Sequence, residues 1–507
     1  MTATSPSRLR RILGGWSASF LLLLLSLTQQ ILLIPLFLKY WSSDTLSAWL
    51  TIFAAGNLVL AADAGMHGWS LNRFFSFKSR PDCDRRTARY FGAAFQLLVR
   101  FTALAAILFL ALTALIAPSR ALGFATEARF DVAFVAMVLG SIFLLLGNLA
   151  TALYRARGLY GRVANIQVLG VVAGQIGQIA GLVATGSLLV VVLAYVLAQA
   201  AATIYLIAVD VRRQFPFLVG ARSRISWRWI VLQFTGAFPF AVMNFAEVGL
   251  GYLSVLLVGS LVSGRIAIAQ WGLTRTIANL VRGLCFQLSL PLASELGHDH
   301  AIGARESLQR LYARGSAVLV LLAGVVTSGL LAFGQDFFAI WTHGAIPYDE
   351  TLMIFLLLGT CVAVPAILAL AYANYSNRGG ILVRTKSLQL AMFVILSLVM
   401  IPRFGPLGAA IALVLSDLIA QSGFLSFAIL GETLKYPVRY TLLLFTMMIA
   451  IVSAGTALGK LIAALVPGSG LTHFVVECAV WLSIVAIVSA PLALKDIRNR
   501  LINVLPT

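Results

Sequence analysis

Fourteen apolar stretches of roughly 20 residues, the length that crosses a bilayer's hydrocarbon core, run almost end to end along this chain of 507 residues. They fall at 13–38, 45–68, 91–117, 131–153, 163–184, 187–209, 229–257, 265–292, 315–341, 351–374, 387–401, 407–430, 440–463 and 471–494. Backbone polar groups have no water to bond inside lipid, so stretches of this length predict helices that satisfy themselves. Charged residues make up 11% of the chain, against about 25% in soluble domains. The predicted class is therefore all-α and polytopic, with about fourteen transmembrane helices and a bilayer as the solvent. The start, Arg8-Leu-Arg-Arg11 before an apolar run to Phe37, has the look of a signal sequence. That run is too long for a signal core and lacks a small-residue cleavage site, so it reads as a retained first span.

Two parts of the series match at a constant offset. Trp49, Asn57, Gly186 and Gln199 recur 222 residues later as Trp271, Asn279, Gly408 and Gln421. Tyr154, Arg157 and Gly158 recur at 221 as Tyr375, Arg378 and Gly379. Residues 1–210 (spans one to six) then form one lobe and 229–430 (spans seven to twelve) the other, joined by the basic linker 211–228. Residues 431–507 carry an appended pair, spans thirteen and fourteen, and the C-tail. Six spans per repeat make the copies parallel, and membrane proteins so built commonly hold substrate between the halves and rock one against the other.

The net charge of +19 raises nucleic acid as a partner, but the basic residues sit between spans and act as topology signals. Of 37 Lys and Arg, 28 lie in loops on the N-terminal side and six opposite, at Lys39, Arg120, Arg129, Arg265, Arg403 and Lys460. By the positive-inside rule both termini are expected in the cytoplasm. Tyr40, Trp41 and Trp341 mark the outer interface, and Trp16, Trp69, Trp227 and Trp229 the inner one. The four cysteines are scattered without metal-ligand spacing, so neither a metal nor a disulfide framework is expected. No Walker motif is present, which excludes ATP hydrolysis within this chain as an energy source, and no cofactor is expected.

Local motifs resemble the polysaccharide repeat-unit (O-antigen and exopolysaccharide, Wzx-type) flippases of the multidrug/oligosaccharidyl-lipid/polysaccharide (MOP) exporter superfamily. The residues that carry the resemblance are Pro35-Leu-Phe-Leu-Lys-Tyr-Trp41 leading into Leu46-Ser-Ala-Trp-Leu50, and Leu60-Ala-Ala-Asp-Ala-Gly65, similar to the family's Asp-x-Gly that ends the second helix, followed by Arg73. Span eight, from Ile268-Ala-Gln-Trp-Gly272 to Leu290-Pro-Leu-Ala-Ser-Glu295, is similar too. So is the turn Ile401-Pro-Arg-Phe-Gly-Pro-Leu-Gly-Ala-Ala410, the most specific of the four. The resemblance implies two six-helix lobes and a polyprenyl-diphosphate-linked glycan as cargo, moved from the cytoplasmic to the periplasmic leaflet of a bacterial inner membrane. Membrane lipid, a polysaccharide polymerase and cytoplasmic glycosyltransferases are the partners it brings into view.

Ionisable side chains at membrane depth are functional candidates, because burying them there is costly. On span eight Trp271, Arg275, Asn279 and Arg282 follow i, i+4, i+8, i+11 and so share a helix face. Arg275 stands about 15 Å from Arg265 at 1.5 Å per residue, near mid-membrane. Arginine forks suit phosphate oxygens, so Arg275 and Arg282 are candidates for the diphosphate, with Arg100 on span three a third from the other lobe. The alternative is that these arginines pair with Asp63, Glu247 or Asp417 to hold helices together. Asp63, Glu247 and Asp417 are also candidates for cavity lining or ion coupling; Asp417 matches Tyr195 by the repeat offset. Pro239 and Pro365 are expected to kink their helices. His298-Asp-His300 reads as a solvated loop.

Three rival functions remain. A membrane polysaccharide polymerase would need a sizeable outward loop or acidic pair; the outward loops here are short, and Asp349-Glu350 reads as a helix entrance. No enzyme is therefore expected. A proton- or sodium-coupled multidrug exporter needs acids in an apolar cavity, whereas span eight supplies arginines. A lipid II flippase differs mainly in the sugar carried.

Overall fold

The computed structural model describes residues 33–489, apart from 60–62, 64, 79–81, 158, 219–224, 263, 302, 377, 435, 467 and 469. Every regular element among the described residues is helical. We number the long helices α1 (33–40), α2 (Ser43–Val59), α3 (Met66–Lys78), α4 (Cys83–Leu115), α5 (Phe130–Ala156), α6 (Tyr160–Thr185) and α7 (Leu188–Gln214). They continue as α8 (Trp227–Leu261), α9 (Arg265–Ala301), α10 (Arg305–Thr342), α11 (Glu350–Tyr375), α12 (Gly379–Phe404), α13 (Pro406–Gly431), α14 (Pro437–Leu465) and α15 (Leu471–Ser489). Twelve of these, α4 to α15, are long and apolar enough to cross a bilayer. They match expected spans three to fourteen in order. Most of expected span one, the basic N-terminal segment and the C-tail lie outside the described residues.

Expected span two, 45–68, is described as α2 up to Val59 and, beyond Gly65, the start of α3 at Met66. Gly65 sits at φ +72, a left-handed conformation that glycine adopts without a Cβ penalty. Two residues earlier, the Asp63 carboxylate accepts the backbone N–H of His67 at 2.9 Å. A carboxylate on the first turn satisfies an orphan donor and complements the positive helix end. The break is thus written in Asp63-Ala-Gly65, which an apolarity count passes over. Pro239, Pro291, Pro365 and Pro402, by contrast, all lie inside continuous helices.

The helix starts repeat the sequence offset. Ser43 of α2 and Arg265 of α9 are 222 apart, and so are Cys83 of α4 and Arg305 of α10. The copies are not identical in detail. Gly186 caps α6 at φ 62, with its carbonyl accepting the indole N–H of Trp41 at 2.6 Å. Its match Gly408 lies inside α13, where a Cβ would stand 2.2 Å from the Met400 carbonyl oxygen; the positive-φ turn of that copy is Gly405.

Packing divides the chain into two compact units, Lys39–Ile268 and the described part of Ala269–Thr507 with residues 33–38. In the first, α8 packs on α2 and α3, so packing groups α8 with the first copy although the sequence offset opens the second with it. The C-terminal half of α4 leaves Leu104, Ile107, Leu108, Leu112 and Leu115 exposed, a surface that needs lipid as its solvent. In the second unit α11 is the most enclosed helix, with 78% of its apolar stretch buried among α10, α12 and α13. The appended helices α14 and α15 pack along α10. Trp481 seats against Phe333 and Gly329, and its indole N–H donates to the Gly455 carbonyl at 3.0 Å.

Candidate functional site

Three helices of the second unit meet in a buried polar seam. On α13 the winding loosens to a π-helix from Asp417 to Leu425, a local form often found at functional positions. Gln421, one turn on, donates its amide N–H to Asp417 Oδ1 at 2.7 Å. From α12, Gln389 donates its amide to the same oxygen, and Lys386 Nζ donates to Gln389 Oε1 at 3.3 Å. From α9, Arg282 Nη1 pairs with Asp417 Oδ2 at 2.8 Å. Asp417, Gln389, Gln421 and Lys386 are all buried, Lys386 to 2% exposure, while Arg282 keeps 27% of its side chain exposed.

The span-eight face is graded rather than uniform. At about 100° per residue, Arg282, Arg275 and Asn279 lie about 20°, 40° and 80° around α9 from Trp271. Exposure follows that order. Trp271 is fully buried, Arg282 and Arg275 are half-buried, and Asn279 is exposed. The structure therefore brings Arg282 and Asp417 together, as the helix-holding alternative had it, and leaves Arg275 on the partly open side of the same helix.

In the first unit the matching positions do something else. Gln167 and Gln199 stand 222 residues before Gln389 and Gln421, but Asp417 is matched by Tyr195, which packs against Trp49 and Phe53. Lacking a carboxylate to clasp, the two glutamines border a cavity of about 310 Å³ with Asn148 and Thr203. Gln167 donates to Thr151 Oγ1 at 3.1 Å. Asp63 is buried beside Asn148, whose carbonyl oxygen is 3.0 Å from His67 Nδ1. Arg100 on α4 and Glu247 on α8 are both exposed.

No family model matches the chain, and no curated protein matches it by sequence. Solved structures do match. Lipid II flippase MurJ, in an inward closed conformation, aligns with a TM-score of 0.70 at 12% identity, covering 94% of this chain and 99% of that one. A multidrug resistance MATE family transporter of the MOP superfamily, inward-facing, aligns at 0.64 and 14% identity over 83% and 95%. A MOP superfamily transporter from Pyrococcus furiosus, whose binding pocket is described as reversed in polarity, aligns at 0.56 and 11% identity over 88% and 96%. The fold is that of the MOP transporters.

Within this MOP fold, sequence reasoning missed two charged groups. Lys386 lies next to what reads as a loop, yet α12 begins seven residues earlier and buries it. Asp210 reads as the end of a lobe, but it is fully buried at the end of α7. Arg162 of α6 grips it with Nε at 3.0 Å from Oδ2 and Nη2 at 2.6 Å from Oδ1, and the Tyr154 hydroxyl of α5 donates to Oδ2. The offset was the available signal. It carries Arg162 and Asp210 onto Arg384 and Glu432, again an arginine and an acid. The expected loop at His298-Asp-His300 is also corrected. The helix α9 continues to Ala301, Asp299 is buried and accepts the Ser307 hydroxyl at 2.8 Å, and His300 Nδ1 is 3.0 Å from the Tyr372 hydroxyl. Apolarity ends before the helix does, because the last turns pack against α10 and α11.

Proposed function

We propose that this protein is a flippase for polyprenyl-diphosphate-linked oligosaccharide repeat units, moving them from the cytoplasmic to the periplasmic leaflet of a bacterial inner membrane by alternating access. Both termini are cytoplasmic in this reading, and the cargo feeds surface polysaccharide synthesis. The observation that carries it is the charge of the second unit's helices. Arg275, Arg282 and Lys386 lie within membrane-spanning segments, and Arg282 pairs with Asp417. Cationic side chains at membrane depth suit a diphosphate better than a cationic drug, which disfavours the multidrug-exporter alternative. Arg275 is the phosphate contact, Arg282 is oriented by Asp417, and Arg100 is a third cationic contact. Trp271 and Asn279 frame the arginine face, while Asp63 and Glu247 are the candidates for ion coupling. With the cell interior negative, each negative charge carried outward gains about 2.3 kcal/mol per 100 mV. Cytoplasmic glycosyltransferases and a membrane polymerase are the protein partners this reading implies; nucleic acid is not one.

Deleting the gene should make a complete sugar repeat accumulate on polyprenyl diphosphate, measured by mass spectrometry of extracted lipids. Wild type should clear it, Arg275→Ala or Arg275→Ala/Arg282→Ala should not, and Arg275→Lys should clear it in part. Full clearance by Arg275→Ala at normal protein levels would remove the residue from the site. A second reading, lipid II flipping, draws support from the fold likeness to MurJ. It predicts arrest of cell-wall synthesis and lysis on depletion instead of a stalled repeat unit.

A further inference from the structure

In the first unit, α5, α6 and α7 line a cavity of about 310 Å³ that has no part in the diphosphate site. Its polar lining is Asn148 of α5, Gln167 of α6, and Gln199 and Thr203 of α7, and no charged side chain is among the described lining residues. Gln199 and Thr203 are four residues apart and so share one face of α7. Gln167 lies about 10 Å along α6 from Tyr160, and Gln199 about 16 Å along α7 from Leu188, at 1.5 Å per residue. Both helices are long and apolar enough to cross a bilayer, so this polar wall stands at hydrocarbon depth. Gln167 is exposed, and Asn148, Gln199 and Thr203 are half-buried.

The second copy of the repeat puts the same pair of glutamines to a different use. There Gln389 and Gln421 both donate to Asp417 Oδ1, whereas the first copy has Tyr195 in place of that carboxylate. The offset of 222 also carries Gly170 onto Met392, Ala202 onto Phe424 and Thr203 onto Leu425. Three cavity positions are therefore smaller in the first copy, and one bears a hydroxyl where the second has a fully buried leucine. A Cβ on Gly170 would stand 2.6 Å from that of Ala202, so α6 and α7 approach closely beside the cavity without filling it. An amide offers two N–H donors and an acceptor oxygen, and Gln167 commits one donor to Thr151 Oγ1 at 3.1 Å.

We propose that this cavity binds a neutral sugar of the lipid-linked repeat unit, an assignment that rests on the flippase reading. A sugar hydroxyl both donates and accepts, and at hydrocarbon depth it needs protein partners in place of water. Carboxamides and a threonine hydroxyl meet it in both directions and add no ionic charge to desolvate. A phosphate would call instead for cationic donors such as those of the second unit. Tyr195, whose hydroxyl lies beside Gln199, adds an aromatic face for the apolar side of a sugar ring. The size of the cavity, at the lower end of the roughly 300–1,000 Å³ range of ligand pockets, suits a single sugar and not a whole repeat. The duplicated helices then differ in chemistry as the two parts of the cargo do.

The test is binding to the full-length protein in a neutral detergent, read by native mass spectrometry. Two probes are compared: the lipid-linked repeat extracted from a strain lacking the gene, and polyprenyl diphosphate of the same chain length without sugar. Wild type should bind the glycan-bearing probe about tenfold more tightly, or better. Gln167→Leu/Gln199→Leu should remove most of that preference, the loss expected for two neutral hydrogen bonds, while changing the Kd for the sugarless probe by less than about twofold. Should the double variant not fold, Thr203→Val, which removes one hydroxyl, should narrow the preference by about threefold. Thr235→Val, the same change at an exposed position of α8, should alter it by less than about twofold. Equal affinity of wild type for the two probes, a preference that survives the cavity substitutions, or an equal loss in Thr235→Val would overturn the sugar site and leave the flippase reading standing. A deletion strain that accumulates no lipid-linked repeat would overturn the flippase reading and the sugar assignment with it.

Discussion

Asp417→Ala should destabilise the protein by about 3–5 kcal/mol, the cost of removing one partner from a buried ion pair. The Asp417 side chain retains only 4% exposure, and it accepts from Arg282, Gln389 and Gln421 on three different helices. Truncation removes the carboxylate that a guanidinium and two amides share, near the buried Lys386. The thermal midpoint of the purified protein in detergent should fall sharply. Asp417→Leu/Arg282→Met should recover most of the loss, because replacing both partners with apolar groups removes the desolvation cost along with the attraction. An unchanged midpoint in Asp417→Ala would mean that the seam is not assembled around this carboxylate. A loss that the double variant fails to recover would assign the stability to shape instead of charge.

Gly65→Ala should be nearly as damaging, by about 2–5 kcal/mol, the sum of left-handed strain and overpacking. A Cβ at this position would stand 2.3 Å from both the Ala237 carbonyl oxygen and the Ala241 nitrogen of α8. Those are backbone atoms inside a 35-residue helix and cannot swing aside as a side chain would. α3 would have to lift from α8, pulling at the Trp69 indole that donates to the buried Gln233 at 2.8 Å. Gly123→Ala separates the two contributions. Gly123 has φ +78 but nothing within 4 Å of its Cβ direction, so it should lose only the strain, about 1–2 kcal/mol. Equal losses at the two sites would show that the close approach of α3 to α8 contributes nothing.

Much of the scaffold was legible because lipid imposes a one-dimensional rule. A helix must keep about 20 apolar residues together to cross, whatever it packs against, and expected spans three to fourteen each have a helix in the structure. The repeat was legible for a related reason. Aromatic, glycine and amide positions recur at a constant spacing, and helix starts such as Cys83 and Arg305 keep that spacing. The break at Gly65 was legible as well, because Asp63-Ala-Gly65 resembled a helix-ending motif, although the apolar stretch ran three residues past it.

Partner choice was not legible. Arg282 had three candidate acids in the sequence, and its pairing with Asp417, 135 residues away, depends on how α9 and α13 are rotated about their axes. The 3.6-residue period defines a face but not which way that face turns, so residues on one predicted stripe run from buried Trp271 to exposed Asn279. The same limit hid Lys386, counted among loop cations until α12 carried it inside. It also hid the contrast between the two copies, where Asp84 meets Arg157 but its match Glu306 meets Arg310. By itself the sequence determined the membrane class, the spans and the duplicated order, since these follow from the length and apolarity of local segments. Only the tertiary structure decided which charges meet one another, because a Coulomb pair forms over a few ångströms of space, however far apart its members lie along the chain.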